Sequence, residues 1–416
     1  MYRKDGMELE RRTIREGNRS SGRKWILWGL IVILSALAIV VGHRVAARNL
    51  NLFTEDGSGN YRGTVTKVLT TAPQGQDPYL EELGPENTEI VYFQAKVKAG
   101  PHKGDTVNGE QVIDERYYNS QYLKPVEPGD SVLLYMNEGM YGEEDTWYFS
   151  DYYRFDKIVI LGLVFAALVV LLGRGKGVNT LISMIFTLLF VFLVFVPAVM
   201  GGENAYLAAL ITCLYTIVMT LMLVIGPGRK TLATIIGCVG GTAIAALCSS
   251  LMKGLLRLTG FLDDESIYLT LLNPDKPLDL TALIFAAILI GAIGAIMDVA
   301  MDIASALYEL CGHVPDITFH KLFQSGMSIG RDIMGTMANT LVLAYIGSSL
   351  SSIMLLLTYS TSVLHLLNRE VIIVECLQAL IGSLAILLTI PLTVLACGAL
   401  YLHRGRGRGG SGRRLA

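Results

Sequence analysis

The chain has 416 residues, 52% of them hydrophobic and only 17% charged, with a formal net charge of −2. Soluble domains carry about a quarter charged residues, so a mean hydropathy of +0.48 excludes an ordinary soluble globular protein and makes a lipid bilayer the solvent that sets the architecture. No nucleic-acid partner is expected, because phosphate binding needs a basic footprint and the one sizeable polar region, residues 47–156, is acidic.

Residues 1–24 form a basic tail with eight Lys or Arg (Arg3, Lys4, Arg11, Arg12, Arg15, Arg19, Arg23 and Lys24) against four acids. Next comes WILWGLIVILSALAIVVG, and residues 25–46 read as a first membrane span. The arrangement resembles a signal peptide. Its apolar run is longer than the ~7–15 residues such a leader uses and no clean A-x-A site follows, so an uncleaved anchor is expected.

Residues 47–156 are the one sizeable polar region, with 19 acids against nine Lys or Arg. The runs NYRGTVTKVLT, EIVYFQAKVKAG, DTVNGEQVI, DSVLLYMN and TWYFSDYY are rich in β-branched and aromatic residues. Gly, Pro, Asn and Asp punctuate them, which is the pattern of short strands. Five strands in this length predict a small antiparallel, OB-like barrel. Its acidity favours a cation or peptide ligand over nucleic acid, and a plain soluble spacer is the blander reading.

A span needs ~20 mostly apolar residues, and seven more segments qualify, at about 157–173, 178–199, 204–225, 231–252, 280–302, 332–357 and 371–396. Eight spans in all are expected, the last seven forming a membrane domain over 157–402. Arg174 and Lys176, Arg229 and Lys230, Lys321 and Arg331, and the five-arginine tail at 403–416 fall on the same side as the basic N-terminus. By the positive-inside rule both termini are then cytoplasmic and 47–156 lies outside the cell membrane. The polar segment CGHVPDITFHKLFQSGMSIGRD, between the sixth and seventh spans, is expected as an amphipathic cytoplasmic helix or a re-entrant segment. The six cysteines lie in or beside spans without CxxC spacing and read as small apolar core residues. Gly237 and Gly241 make a GxxxG for close helix packing, and Pro391 is placed to kink the last helix.

The sixth span holds the most informative run, GAIGAIMDVAMDIASALYEL. Asp298, Asp302 and Glu309 fall within ~40° of one another on a helix, with Gly291, Gly294 and Ser305 on or beside the stripe. Carboxylates are costly in hydrocarbon and mark a function or a partner. The seventh span answers with Ser325, Ser328, Asp332, Thr336 and Asn339 at helical spacing. Packed together, the two stripes would enclose a cytoplasm-facing polar vestibule, with Arg331 paired to the aspartates. The competing reading is a structural ion pair of Arg331 with Asp298 or Asp302. Glu375 and Gln378, one turn apart near the outer end of the last span, are secondary candidates for a gate. Paired aspartates on consecutive spans also fit an intramembrane aspartyl protease. Met297 before Asp298 and the GRD ending at Asp332 mismatch the YD and GxGD motifs of that class, and no enzyme, metal site or cofactor is expected.

GAIGAIMDVAMDIASALYEL, SIGRDIMGTMANTLVLAYIGSSL and the run from VNTL to GPGRKTLATIIG resemble the signature regions of the YibE/F-like bacterial membrane proteins. The resemblance covers residues 60–400, and some of its members split the outer and membrane parts into separate chains. It implies a multi-pass membrane fold and points towards transport, but supplies neither substrate nor site residues. The expected function is a permease-like protein coupled to protons or another cation. Its partners would be the lipid bilayer and a small solute or ion, with a homo-oligomer left open. The alternative is a membrane scaffold or envelope sensor that uses the acidic outer domain.

Overall fold

The computed structural model describes residues 25–48, 59–73, 88–114, 124–137, 146–262, 264–271, 277–314, 316–359 and 362–402. The basic tails at 1–24 and 403–416, and Asp263 and Asp275, lie outside them. The chain divides into two compact units, one of residues 52–171 and one of residues 1–51 with 172–416.

In the first unit, strands β1 (Asn60–Pro73), β2 (Thr88–Val97), β3 (Thr106–Asp114), β4 (Ser131–Asn137) and β5 (Thr146–Tyr152) close into a barrel in the order β1-β2-β3-β5-β4. All five predicted strands are present. The barrel is not wholly antiparallel, however, because β3 and β5 pair in parallel. A parallel pair arises when the chain crosses over, here through β4, and this crossover belongs to the Greek-key connection of OB barrels. Val65, Val91, Phe93, Ala95, Val132 and Leu134 fill the interior. Gly109 is required under Phe93, whose ring would meet an added Cβ at 2.7 Å. The buried Gln111 is satisfied by accepting from Val126 N (2.9 Å) and donating to Lys124 O (3.3 Å).

The second unit is helical: α1 (Trp25–Ala46), α2 (Phe155–Phe190, begun in the first unit), α3 (Val196–Met200), α4 (Ala205–Val224), α5 (Arg229–Leu256), α6 (Asp264–Leu271), α7 (Leu280–His313), α8 (Phe319–Ser348), α9 (Leu350–Tyr359), α10 (Val363–Leu367) and α11 (Glu370–Leu402). Six of the described helices are long and apolar enough to cross a membrane, and α8 with α9, bent by 60°, makes a seventh if the pair is one span. Hydropathy predicts eight. The difference lies at 157–173 and 178–199, which the backbone joins into one helical run, Phe155–Met200, interrupted at Arg174 (φ 49°, ψ −130°). The polar segment before Asp332 is likewise not a separate element. From Phe319 onward it forms the first turns of α8, whose N-cap Thr318 accepts from Lys321 N (3.4 Å), and the break falls after Ser348 instead. Pro391 lies inside α11, which continues through it.

α7 is the hub, packed against α4, α5, α8 and α11. Asp279 caps its N-terminus by accepting from Thr281 N (3.0 Å) and Ala282 N (3.1 Å). Lys253 of α5 reaches Asp279 at 3.7 Å and donates to Tyr206 Oη of α4 at 2.5 Å, so one polar knot ties three helices. A second clasp comes from Glu370 at the start of α11. Its carboxylate accepts from Thr259 N (2.8 Å), Gly260 N (2.6 Å) and Thr259 Oγ1 (2.7 Å) beyond the end of α5. The GxxxG works as expected. Cβ atoms at Gly237 and Gly241 would run into the Thr393 and Thr389 hydroxyls of α11, so the missing side chains set the approach of α5 to α11. Cys213, Cys238 and Cys397 are buried and all six cysteines are free.

Two outcomes are expected. Gly241→Ala destabilises the purified protein by about 1–3 kcal/mol through overpacking. Thermal melts in detergent should show recovery in the double variant with Thr389→Ala, which removes the obstructing hydroxyl. At the cap, partial burial acts to raise the Asp279 carboxyl, but hydrogen bonds from Thr281 and Ala282 and the charge of Lys253 outweigh it and hold it below its ordinary 3.8. A lowered carboxyl contributes stability that is present above its unfolded value and is lost as pH falls through the folded one. Asp279→Ala should therefore lower the melting temperature near neutral pH by the equivalent of about 1 kcal/mol. The gap to the native protein should close as the pH is taken below 3.8.

Candidate functional site

The face that α7 gives to its neighbours is wholly apolar: Ala292, Ile296, Val299, Ala300, Ile303 and Leu307 are fully buried. The opposite face carries Gly291, Gly294, Asp298, Asp302 and Glu309, all exposed. The sequence separates these two sets at helical spacing, so burying one necessarily turns the other out. Asp298 and Asp302 are one turn apart on this face, close enough for like charges to repel each other. Ser305, half-buried at the stripe's edge, donates to its own helix at Met301 O (2.6 Å). None of Asp298, Asp302, Glu309 and Asp332 has a salt-bridge partner among the described residues.

α8 packs beside α7, but not by its polar stripe. Its buried positions are Leu322, Gly326 and Gly330. A Cβ at Gly326 would lie 2.6 Å from Val394 of α11 and 3.0 Å from Leu307 of α7, and one at Gly330 would collide with Ile390 of α11. Further along, the Tyr345 hydroxyl occupies the space left by the missing side chain of Gly291. At ~100° per residue Arg331 lies within ~40° of Tyr345 around α8, whereas Ser328, Asp332, Thr336 and Asn339 lie ~100–180° away. These four are exposed, on the side of α8 turned from α7. The expected vestibule between two facing stripes is therefore not formed within one chain. Nor is the expected ion pair. Arg331 Nε donates to Met327 O (3.3 Å) of its own helix, and Thr336 Oγ1 donates to Ile333 O (2.8 Å).

A polar junction that sequence reasoning missed takes the vestibule's place. Tyr345 Oη of α8 and Glu375 Oε2 of α11 are both buried and have no hydrogen-bond partner among the described residues. The two are close enough for the Glu375 charge to act on the phenol, and Gln378, one turn along α11, is half-buried. Glu375 was legible as a candidate. Its partner was not, because a single tyrosine in LVLAYIGSSL looks like core filling, and Gly291 looks like a packing glycine.

Along α7 the polar groups therefore run in file. The Tyr345 hydroxyl sits at Gly291, and along α7 Asp298 lies ~10 Å and Glu309 ~27 Å from Gly291. That distance is close to the ~30 Å thickness of a bilayer's hydrocarbon.

Helices of spanning length sharing one buried core, with ionisable groups along a single helix face, define a polytopic helical membrane protein. The chain belongs to the YibE/F-like protein family, whose model matches residues 161–403, more than half of its length. Comparison with curated proteins and with solved structures returned no match.

Proposed function

We propose that this protein is a permease-like membrane protein that moves protons or another small cation along the polar face of α7. One observation carries the reading: Asp298, Asp302 and Glu309 share one face of α7 with the Tyr345 hydroxyl at Gly291, a run of about the thickness of a bilayer. In this proposal the carboxylates take up and pass on the cation, Tyr345 relays between Glu375 and the α7 stripe, and Arg331, without an ion-pair partner among the described residues and on the α7 side of its helix, tunes their charge. Asp332, Thr336 and Asn339 stand on the far side of α8 and are left outside the path. The residues act as binding and relay groups, with no covalent chemistry and no enzymatic step.

The membrane arrangement proposed with it has eight spans, both termini in the cytoplasm and the barrel outside the cell membrane. The break at Arg174 supports the count. A helical run of 46 residues is more than twice the ~20 residues that one span needs, and the interruption falls at GRGKG, whose charges favour the cytoplasmic interface.

The test is flux in proteoliposomes under an imposed pH gradient. Losing charge-assisted interactions of about 1.5–3 kcal/mol should slow proton flux roughly ten- to a hundredfold in Asp298→Asn and in Asp302→Asn, while Asp332→Asn stays close to the native rate. Native rates in both α7 variants would overturn the path, and a loss confined to Asp332→Asn would move it to the other face of α8.

A further inference from the structure

A cavity of about 1140 Å³ opens between α1, α2 and α4, remote in sequence from the α7 stripe. Its walls are apolar and aromatic, with Trp25, Trp28, Ile31, Val178 and Met222 around a single amide, Asn179. That amide is fully engaged. It accepts from Trp28 Nε1 (2.9 Å) and donates to Leu223 O (2.9 Å), so it fixes the walls rather than offering itself to a polar ligand. The interior thus suits hydrocarbon.

The rim has the opposite chemistry. Gly175 lines the cavity between Arg174 and Lys176, both exposed, and Pro227 lines it just before Arg229 and Lys230. Between Asp156 and Asp263 the sequence contains one acid, Glu203, against seven Lys or Arg, so little negative charge competes for these cations. Arg229 is partly committed, donating to Leu400 O (3.4 Å), whereas Arg174 and Lys176 have no ion-pair partner among the described residues. Arg174 holds φ 49°, a backbone region that a glycine would enter without strain and that side chains other than Asn and Asp rarely adopt. Strain of this kind persists where the surrounding structure or a function demands it.

We propose that this cavity is a binding site for an anionic phospholipid, with an acyl chain between Trp25, Trp28 and Val178 and the phosphate held by Arg174 and Lys176. Basic pockets between membrane helices are suited to such headgroups, and each cation near the surface adds to the attraction. The occupant is a bilayer lipid, since the apolar volume would leave a free phosphate no reason to bind there.

The sequence supplies its own reporter. Trp25, Trp28 and Trp147 are the only three tryptophans, so the tryptophan fluorescence of a Trp147→Phe chain in nanodiscs, excited selectively over tyrosine, comes from the cavity alone. Acyl-brominated phosphatidylglycerol and acyl-brominated phosphatidylcholine are the probes. The anionic lipid should reach half-quenching at an about tenfold lower mole fraction than the zwitterionic one. The preference should vanish in R174Q/K176Q, and also in V178F, which fills the mouth while leaving the charges in place. Equal quenching by both lipids would overturn the proposal. So would a preference that survives V178F, which would be diffuse attraction of anionic lipid to a basic surface. If the Trp147→Phe chain does not fold, native mass spectrometry of the delipidated protein, its R174Q/K176Q variant and its V178F variant, titrated with the same two lipids, gives the same comparison.

Discussion

The structure depends on a conflict within α7. Its apolar face must be buried, and the neighbours α4, α5, α8 and α11 bury it completely. The same helix carries three carboxylates on the other face, where no ion pair among the described residues offsets them. A charge facing hydrocarbon costs several kcal/mol even by the lowest scales. The face is therefore stable only where water, a permeating ion or another polar surface reaches it. The polar knots of Lys253 with Asp279 and of Glu370 with Thr259 hold the helices that fix this orientation.

Much of this was legible in the sequence. Strong periodicity placed Asp298, Asp302 and Glu309 on one face, strand-forming runs located all five barrel strands, and GxxxG marked a close-packing face on α5 without naming its partner. These signals are local, set by backbone geometry and by side chains a few residues apart. Pairing across the molecule was not legible. The polar residues of α8 show that it has a wet side but not which helix its dry side meets. That dry side is built on Gly326 and Gly330, which carry no hydrophobic signal and act only by letting Val394 and Ile390 come close. The facing arrangement expected for Asp332 and the pairing expected for Arg331 both failed for this reason.

The same limit explains the junction of Tyr345 with Glu375. Glu375 stands out as a carboxylate in an apolar helix, but Tyr345 does not stand out in its own. Their significance comes from a third helix that leaves out a side chain at Gly291 and so admits the phenol beside the stripe. The parallel pairing of β3 with β5 is a comparable case, because alternation marks strands and leaves their crossover unspecified. Family membership is consistent with the membrane fold, whereas the argument for a path rests on the geometry of α7, α8 and α11.

Water on the α7 stripe is the central claim, and cysteine accessibility tests it most directly. In a cysteine-free chain in sealed vesicles, Gly294→Cys and Asp302→Cys should react with a membrane-impermeant maleimide, because thiolate forms only where water reaches. Leu380→Cys, on an apolar position of α11 that is 68% exposed, should stay unlabelled in lipid. Labelling at both stripe positions and not at Leu380 is the predicted result. If the two stripe positions are as inert as Leu380, the face meets lipid and the account of this protein as a path for cations is wrong.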